Sequence, residues 1–508
     1  MDYYGRGLWV RTTLADTLSG AAQSEPERIV LVDGEIRLTC AQLHTQATAL
    51  GSRLLDRMPK GSVVSFMLPN WHEAAVVYLA ATLAGMVVNP ILPSLRDHEL
   101  RYILTDAACR MIFVPGDFGG HDYASMLKRV TAGMDDPPDI VVVRGHPPVG
   151  ETQGTAEFPA LDPEAVRMIL YTSGTSGRPK GVLHTHNSLH ALICQIRDHW
   201  NVQGRDSMLV PSPIAHIGGS IYAFECPLLL GTTAVLMERW NADAAIRLML
   251  REQCTHMAGA TPFLEQLLAA AERAGSRLPD LKVFICGGAS VPPSLIRRAA
   301  AYFDRAVITR VYGSTEVPVT TVGALRPGDI DHAAETDGRP GVAHVKLVDG
   351  EIRARGPQML AGYLHTDDNR NAFDDEGYFR TGDLGRWVDD DYLVVTGRAK
   401  DVIIRHGENI SPKEIEDILA DHPDISEVAV VGVPDNRTGE RACAVVVPTA
   451  PPGPDVASLA SFLQAHGLAK FKSPEQVVIW DALPKNDAGK VLKHEIRAQL
   501  IEGPRACK

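Results

Sequence analysis

The segment Tyr171-Thr-Ser-Gly-Thr-Ser-Gly-Arg-Pro-Lys-Gly181 gathers glycines, hydroxyl side chains and one lysine into a single short stretch. An apolar run, Val166 to Leu170, leads into it. Glycine lets the backbone approach a ligand closely and adopt positive φ. Consecutive backbone N–H groups then form a concave anion site, and Thr172, Ser173, Thr175, Ser176 and Lys180 add donors around Gly174. The chemistry this suits is phosphate binding. It is not the common G-x-x-x-x-G-K-S/T loop, because Lys180 is followed by Gly181 and spaced differently.

Other groups capable of chemistry follow in order. Ser212–Gly219 sets His216 in an apolar, glycine-containing segment with Ile217 and Gly218. Cys286–Ser290 carries the small residues Gly288 and Ala289, which leave room for a flat ring. Val311–Glu316 offers the aromatic face of Tyr312, then Gly313, Ser314 and Thr315, then the carboxylate of Glu316. Tyr378–Gly385 offers a second carboxylate, Asp383, and Pro484–Lys490 ends in a lysine after a turn. Taken singly, Asp383 fits a solvated turn, Lys490 a surface lysine, His216 a satisfied core histidine and Tyr312 a core ring. His184, His186 and His190 raise metal binding, but no Cys or carboxylate ligand accompanies them, and they read as structural.

These groups need a scaffold. Val63–Leu68, Met111–Val114, Ile140–Val143 and Lys282–Cys286 read as strands. Glu73–Ala84 reads as a helix, and the apolar run Ala74–Val88 as a buried helix entering a core strand. Thr261 as N-cap, with Pro262 at the first helical position, opens a helix running to about Ala274. This alternation is the rhythm of helices packed on sheets. Near residue 400 a strand, Tyr392–Thr396, gives way to the charged Gly397–Asp401. Val402–Ile404, a turn at 406–409 and Ser411-Pro-Lys-Glu414 follow; the last predicts a capping box. The hundred residues beyond suffice for a small α+β domain.

The whole chain, 508 residues with 45% apolar and 22% charged content, is that of a globular protein of two or more domains. A net charge of −12 argues against nucleic-acid binding. Eight scattered cysteines without a C-x-x-C suit reduced thiols and a cytoplasmic location. The N-terminus lacks the order of a signal peptide, and no apolar run reaches the ~20 residues of a membrane span.

Together and in this order, these segments resemble the adenylate-forming superfamily: acyl-CoA synthetases, aryl-CoA ligases, firefly luciferase and nonribosomal-peptide adenylation domains. The resemblance covers roughly residues 10–500 and rests on the phosphate loop, YGSTE, TGD, GRAKD and the terminal GK lysine. It implies an α/β fold: a large N-terminal domain of α/β sheets plus a small barrel (1–398), a hinge (399–401) and a mobile α+β C-terminal lid (402–508). It implies that a carboxylate attacks ATP to give acyl-AMP and pyrophosphate, after which a thiol takes the acyl group. On this likeness Thr172–Lys180 hold phosphates, and Glu316 with Thr175 holds Mg²⁺. Tyr312 stacks on adenine beside Gly288, Ala289 and Gly313–Thr315, and Asp383 takes the ribose with Arg398 close by. Lys490 bridges the reacting anions. Rotation about Lys400 then removes Lys490 and presents Gly407 and Glu408 to the pantetheine arm of coenzyme A.

In relatives the interval Ser207–Met237 lines the acyl pocket, with His216 flanking the reacting carboxylate. Ile217, Tyr222, Phe224 and Phe263 suggest apolar walls, and Gly218 widens them. Glu225 is the interval's only acidic residue. Amino-acid-activating relatives carry an Asp where this chain has Ile221–Phe224; a buried ammonium there would lack a partner. The segments Pro90–Leu100 and Gly407–Ser411 are most similar to those of medium-chain and alicyclic carboxylate–CoA ligases. The implied partners are small molecules, namely a carboxylic acid, ATP and CoA, with no nucleic acid and no membrane span, and a homodimer left open. Two other readings stand beside this one: an acyl-AMP ligase loading a carrier protein, although no carrier domain follows before Lys508, and a nucleotide-binding module without ligase chemistry.

Overall fold

The structure is a computed structural model describing residues 2–144, 157–173, 178–288, 291–303, 305–326, 328–405, 408–435, 438–486 and 489–502. Two seven-stranded sheets dominate. One runs, in spatial order, Val307–Val311, Val283–Gly287, His256–Gly259, Ser207–Val210, Thr233–Leu236, Ile29–Asp33, Ile36–Thr39; all neighbours are parallel except the last pair. The other runs Gly362–Tyr363, Pro179–Thr185, Val166–Ser173, Val87–Pro90, Val63–Phe66, Cys109–Pro115, Asp139–Val143, with parallel pairing from Val166–Ser173 onward.

Parallel strands buried on both faces read as near-continuous apolar runs, and the side chains alternate between cores. On Cys109–Pro115, Met111 and Phe113 enter the core between the two sheets, while Ile112 and Val114 enter an outer core under the helix Asp97–Asp106. On Val283–Gly287, Ile285 faces the central core, and Phe284 and Cys286 face another outer core with the helices Thr261–Ala274 and Pro293–Tyr302. The helix His72–Leu83 is buried on all sides and feeds the strand Val87–Pro90, as its apolar run predicts.

A four-stranded antiparallel sheet, His344–Val348, Glu351–Arg355, Phe379–Val388 and Tyr392–Arg398, stands where the small barrel is expected. A single 3₁₀ turn, Ala399–Asp401, then leads to a smaller unit. There Glu408–Ile410, Ile403–Arg405, Gly439–Pro448, Ile425–Asp435 and Gln476–Ile479 form one sheet, with the helices Pro412–Leu419, Val456–Ala465 and Lys493–Glu502 around it. No helix among the described residues is long and apolar enough to cross a membrane.

Two helix starts differ from the sequence reading. Thr261 lies inside its helix; Ala260 is the N-cap and makes no side-chain capping bond. Ser411 is the N-cap of Pro412–Leu419, but no capping bond forms. Its hydroxyl donates instead to the Thr396 carbonyl at 2.5 Å, across the 3₁₀ turn. A tertiary acceptor has outcompeted the local one.

Phe284, sealed within the sheet that carries Gly288 and Tyr312, tests this layering. Phe284→Ala should cost about 3–5 kcal/mol by urea unfolding followed by circular dichroism. A loss below about 1 kcal/mol would mean that this core collapses around the gap.

Candidate active site

In a parallel sheet every carboxyl end points to one edge, and ligands collect there. At that edge the strand Val283–Gly287 delivers Gly288, and Val307–Val311 delivers Tyr312. His256–Gly259 leads to the Phe263 helix, and Ser207–Val210 leads to His216. Gly288 has φ +86°, and a Cβ there would meet no atom within 4 Å, so it leaves a flat open floor.

Asp383 is the node of the cleft. It is 5% exposed. Tyr312 Oη donates to Asp383 Oδ2 at 2.7 Å, and Arg398 Nε lies 2.8 Å from Oδ1. Antiparallel register sets Asp383 opposite Arg398. Burial, then the adjacent carboxylate, pushes the Tyr312 phenol far above its ordinary range, so it remains a donor.

Lys490 arrives from the smaller unit on a turn closed by its own N–H bond to Asn486 Oδ1 at 2.9 Å. The neighbouring Gly489 lies close to Pro262 of the large part. The Lys490 ammonium is held down to about 8, first by desolvation among its neighbours, then by Arg398, with Lys400 adding and Asp383 and Asp401 opposing. The residue is nonetheless exposed, and an anion bound beside it would favour the charged form. Ser294 Oγ donates to Asp421 Oδ1 at 2.6 Å, a further tie between large part and small.

The strands Val166–Ser173 and Pro179–Thr185 pair antiparallel, with Lys180 opposite Thr172. Gly174, Thr175 and Ser176 lie outside the described residues, as do Ala289 and Gly407. Lys180 Nζ is 3.3 Å from Asp368 and 5.1 Å over the Tyr363 ring. Tyr363 Oη donates to Glu316 Oε1 at 3.0 Å. The Gly313–Glu316 turn is pinned from behind: His184 Nε2 meets the Thr315 carbonyl at 2.8 Å, and Ser314 Oγ accepts from the Val317 N–H at 3.2 Å. His184 meets the Thr315 carbonyl and His190 the Leu8 carbonyl, while the buried His186 Nδ1 finds no partner among the described residues. Sequence reasoning missed Tyr363 and Asp368; neither sits in a motif.

His216 caps the short helix Ile217–Ser220. Its Nε2 is buried and finds no partner among the described residues, and burial lowers the ring's pKa below the usual imidazole value. Ile217, Val311 and Val319 form a half-buried apolar border to the central core. A side chain at Gly218 would meet nothing within 4 Å. Tyr222 is buried in the central core near Trp200, the same core Ile217 packs against, and Phe263 lies over Gly259 and packs edge-on to Trp240. Glu225 is tied to Arg167 inside the core. A cavity of about 340 Å³, lined in part by Asn70, Arg96, His121 and Arg239, opens on the Pro213–Ala215 loop before His216. Lys400 is exposed on its 3₁₀ turn, and Glu408 is exposed opposite Arg405.

Comparison with known proteins agrees with this layout. The chain is 32% identical to the medium-chain fatty-acid–CoA ligase of Escherichia coli (strain K12), over 98% of this chain and 92% of that protein. It is 32% identical to the 3-[(3aS,4S,7aS)-7a-methyl-1,5-dioxo-octahydro-1H-inden-4-yl]propanoyl:CoA ligase of Rhodococcus jostii (strain RHA1), over 96% and 99%. ATP-bound MatB from Rhodopseudomonas palustris superposes with a TM-score of 0.84 at 26% identity, over 96% of this chain and 99% of that one. Residues 18–364 match the AMP-binding enzyme family, and 414–490 match the AMP-binding enzyme C-terminal domain. The chain therefore belongs to the family of AMP-binding enzymes.

Proposed function

We propose that this protein is an AMP-forming carboxylate–CoA ligase for an apolar monocarboxylic acid. The observation that carries the reading is the convergence of Lys490, Arg398, Asp383 and Tyr312 on one cleft. A carboxylate oxygen attacks the α-phosphorus of ATP, the bond to the β-phosphate oxygen breaks, and pyrophosphate leaves. The CoA thiol, losing its proton, then attacks the acyl carbon, and AMP departs with the carboxylate oxygen.

Two anions meet in the first step, so a fixed cation is worth most there. Lys490 would bridge them. Asp383, its charge balanced by Arg398, would accept from the ribose hydroxyls, and Tyr312 would offer its ring to adenine above Gly288. Thr172–Lys180 would hold the β- and γ-phosphates. Glu316 and Thr175 offer anionic and hydroxyl oxygens, which suit Mg²⁺, and they would hold that ion as it offsets phosphate charge. The division into 1–398, a hinge at 399–401 and a lid at 402–508 follows from the same reading. Lys400 would turn so that Gly407 and Glu408 replace Lys490. Buried, unbridged cysteines among the described residues support a cytoplasmic place.

The acid is read from the walls. Ile217, Val311 and Val319 are apolar, and Glu225, the one acid of the interval Ser207–Met237, is already paired with Arg167. A second charge on the substrate would enter unpaired. The names of the two relatives, a medium-chain acid and a ring-bearing propanoate, support an apolar substrate.

Lys490→Ala should cut acid-dependent ATP–pyrophosphate exchange on the order of 10²-fold or more while largely sparing thioester formation from supplied acyl-AMP. Equal losses in both half-reactions would remove Lys490 from its role. Because the free ammonium titrates near 8 and the charged form is required, kcat/KM for adenylation should fall tenfold per pH unit above about 8. Lys490→Arg, which stays charged, should be slower but flat through that range; a wild-type profile flat to pH 10 contradicts the account. Gly218→Trp should move preference toward shorter acids with the KM for ATP unchanged. Best wild-type activity with acetate or an amino acid would refute the apolar pocket.

A further inference from the structure

Arg167, Tyr78 and Glu225 form a closed polar circuit inside the central core. Arg167 and Glu225 are each 1% exposed, and Tyr78 is sealed. Arg167 Nη2 donates to Glu225 Oε1 at 2.7 Å, Tyr78 Oη donates to the same oxygen at 2.5 Å, and Arg167 Nη1 donates to Tyr78 Oη at 2.8 Å. The three residues sit on three elements. Arg167 is on the strand that ends at the phosphate loop, Tyr78 is on the buried helix His72–Leu83, and Glu225 ends the segment Ile221–Glu225.

That segment is a π-turn, closed by the Cys226 N–H on the Ile221 carbonyl. It interrupts the helical path that begins at Ile217, directly after His216, and ends at Leu229. A π-turn carries one residue more than an α-helical turn; such turns are rare and cluster at functional sites. Phe224 within it stacks on Tyr78, centroids 4.5 Å apart, and meets Phe66 edge-on at 6.2 Å.

Stability does not explain the circuit. Burying an ion pair is costly, and an apolar replacement of similar volume is often neutral or stabilising. Arg167 Nε finds no acceptor among the described residues, which adds to the cost. What the circuit does supply is register. With Glu225 fixed to a strand and a second helix, the path from Ile217 cannot drop its extra residue. Loss of that residue would slide the path by one position and turn Ile217 and Gly218 relative to the cleft.

We propose that Arg167, Tyr78 and Glu225 are positioning residues whose buried circuit locks the π-turn and so fixes the depth of the acyl pocket at Ile217 and Gly218. The inference rests on reading residues 216–218 as a wall of that pocket. It predicts that acid selectivity, not ATP use, depends on a cluster that touches neither substrate.

The test is ATP–pyrophosphate exchange over linear acids from acetate to dodecanoate, with wild type, Glu225→Gln and the double variant Arg167→Met/Glu225→Leu. Thermal midpoints and the KM for ATP are measured alongside. Both variants should lose the wild-type chain-length optimum on the order of 10-fold, the scale of discrimination carried by one methylene in an apolar pocket. The KM for ATP should stay within twofold, and the double variant should melt no lower than wild type. A folded double variant that keeps the wild-type chain-length profile overturns the proposal. So does a double variant that fails to fold, since the circuit is then a stability element. Wild type showing no acid-dependent exchange overturns the ligase reading itself, a result distinct from either.

Discussion

The cleft depends on one buried carboxylate being fully partnered. Asp383 is almost sealed from solvent, and burying a carboxylate without partners is costly. Tyr312 donates to one of its oxygens and Arg398 pairs with the other. Those partners come from the last parallel strand of one seven-stranded sheet and from the end of the antiparallel sheet, so the two must dock in one register. Arg398 is also the last residue before the 3₁₀ turn that launches the smaller unit. The same short stretch therefore balances Asp383 and aims the unit that carries Lys490.

The phosphate side has a parallel logic. Lys180 is held by Asp368, and Glu316 by Tyr363, whose ring also lies under Lys180. A cation and an anion thus wait side by side, each partly compensated. Such preorganised groups stabilise charge that develops during reaction without reorganising first. The His184 bond to the Thr315 carbonyl keeps the Glu316 turn from yielding to that field.

Much of this was legible in the sequence, and the reasons are local. Glycine-rich and hydroxyl-rich motifs announce themselves because the backbone conformations they need admit few residues. The doubly buried strands announce themselves as apolar runs. Tyr363, Asp368 and the Arg167–Glu225 circuit do not, because their meaning comes from pairings far apart in the chain; Arg167 even sits within a run that otherwise reads as apolar. Ser411 shows how a well-formed capping signature yields when a carbonyl across the hinge offers its hydroxyl a better acceptor.

The central claim is that a substrate carboxylate attacks the α-phosphorus of ATP in this cleft. It is tested most directly with an acid carrying ¹⁸O in both carboxylate oxygens, turned over with ATP and CoA and read by mass spectrometry of the nucleotide. The account predicts AMP containing one ¹⁸O and acyl-CoA retaining the other. ADP as the nucleotide product, or AMP without the label, would contradict it.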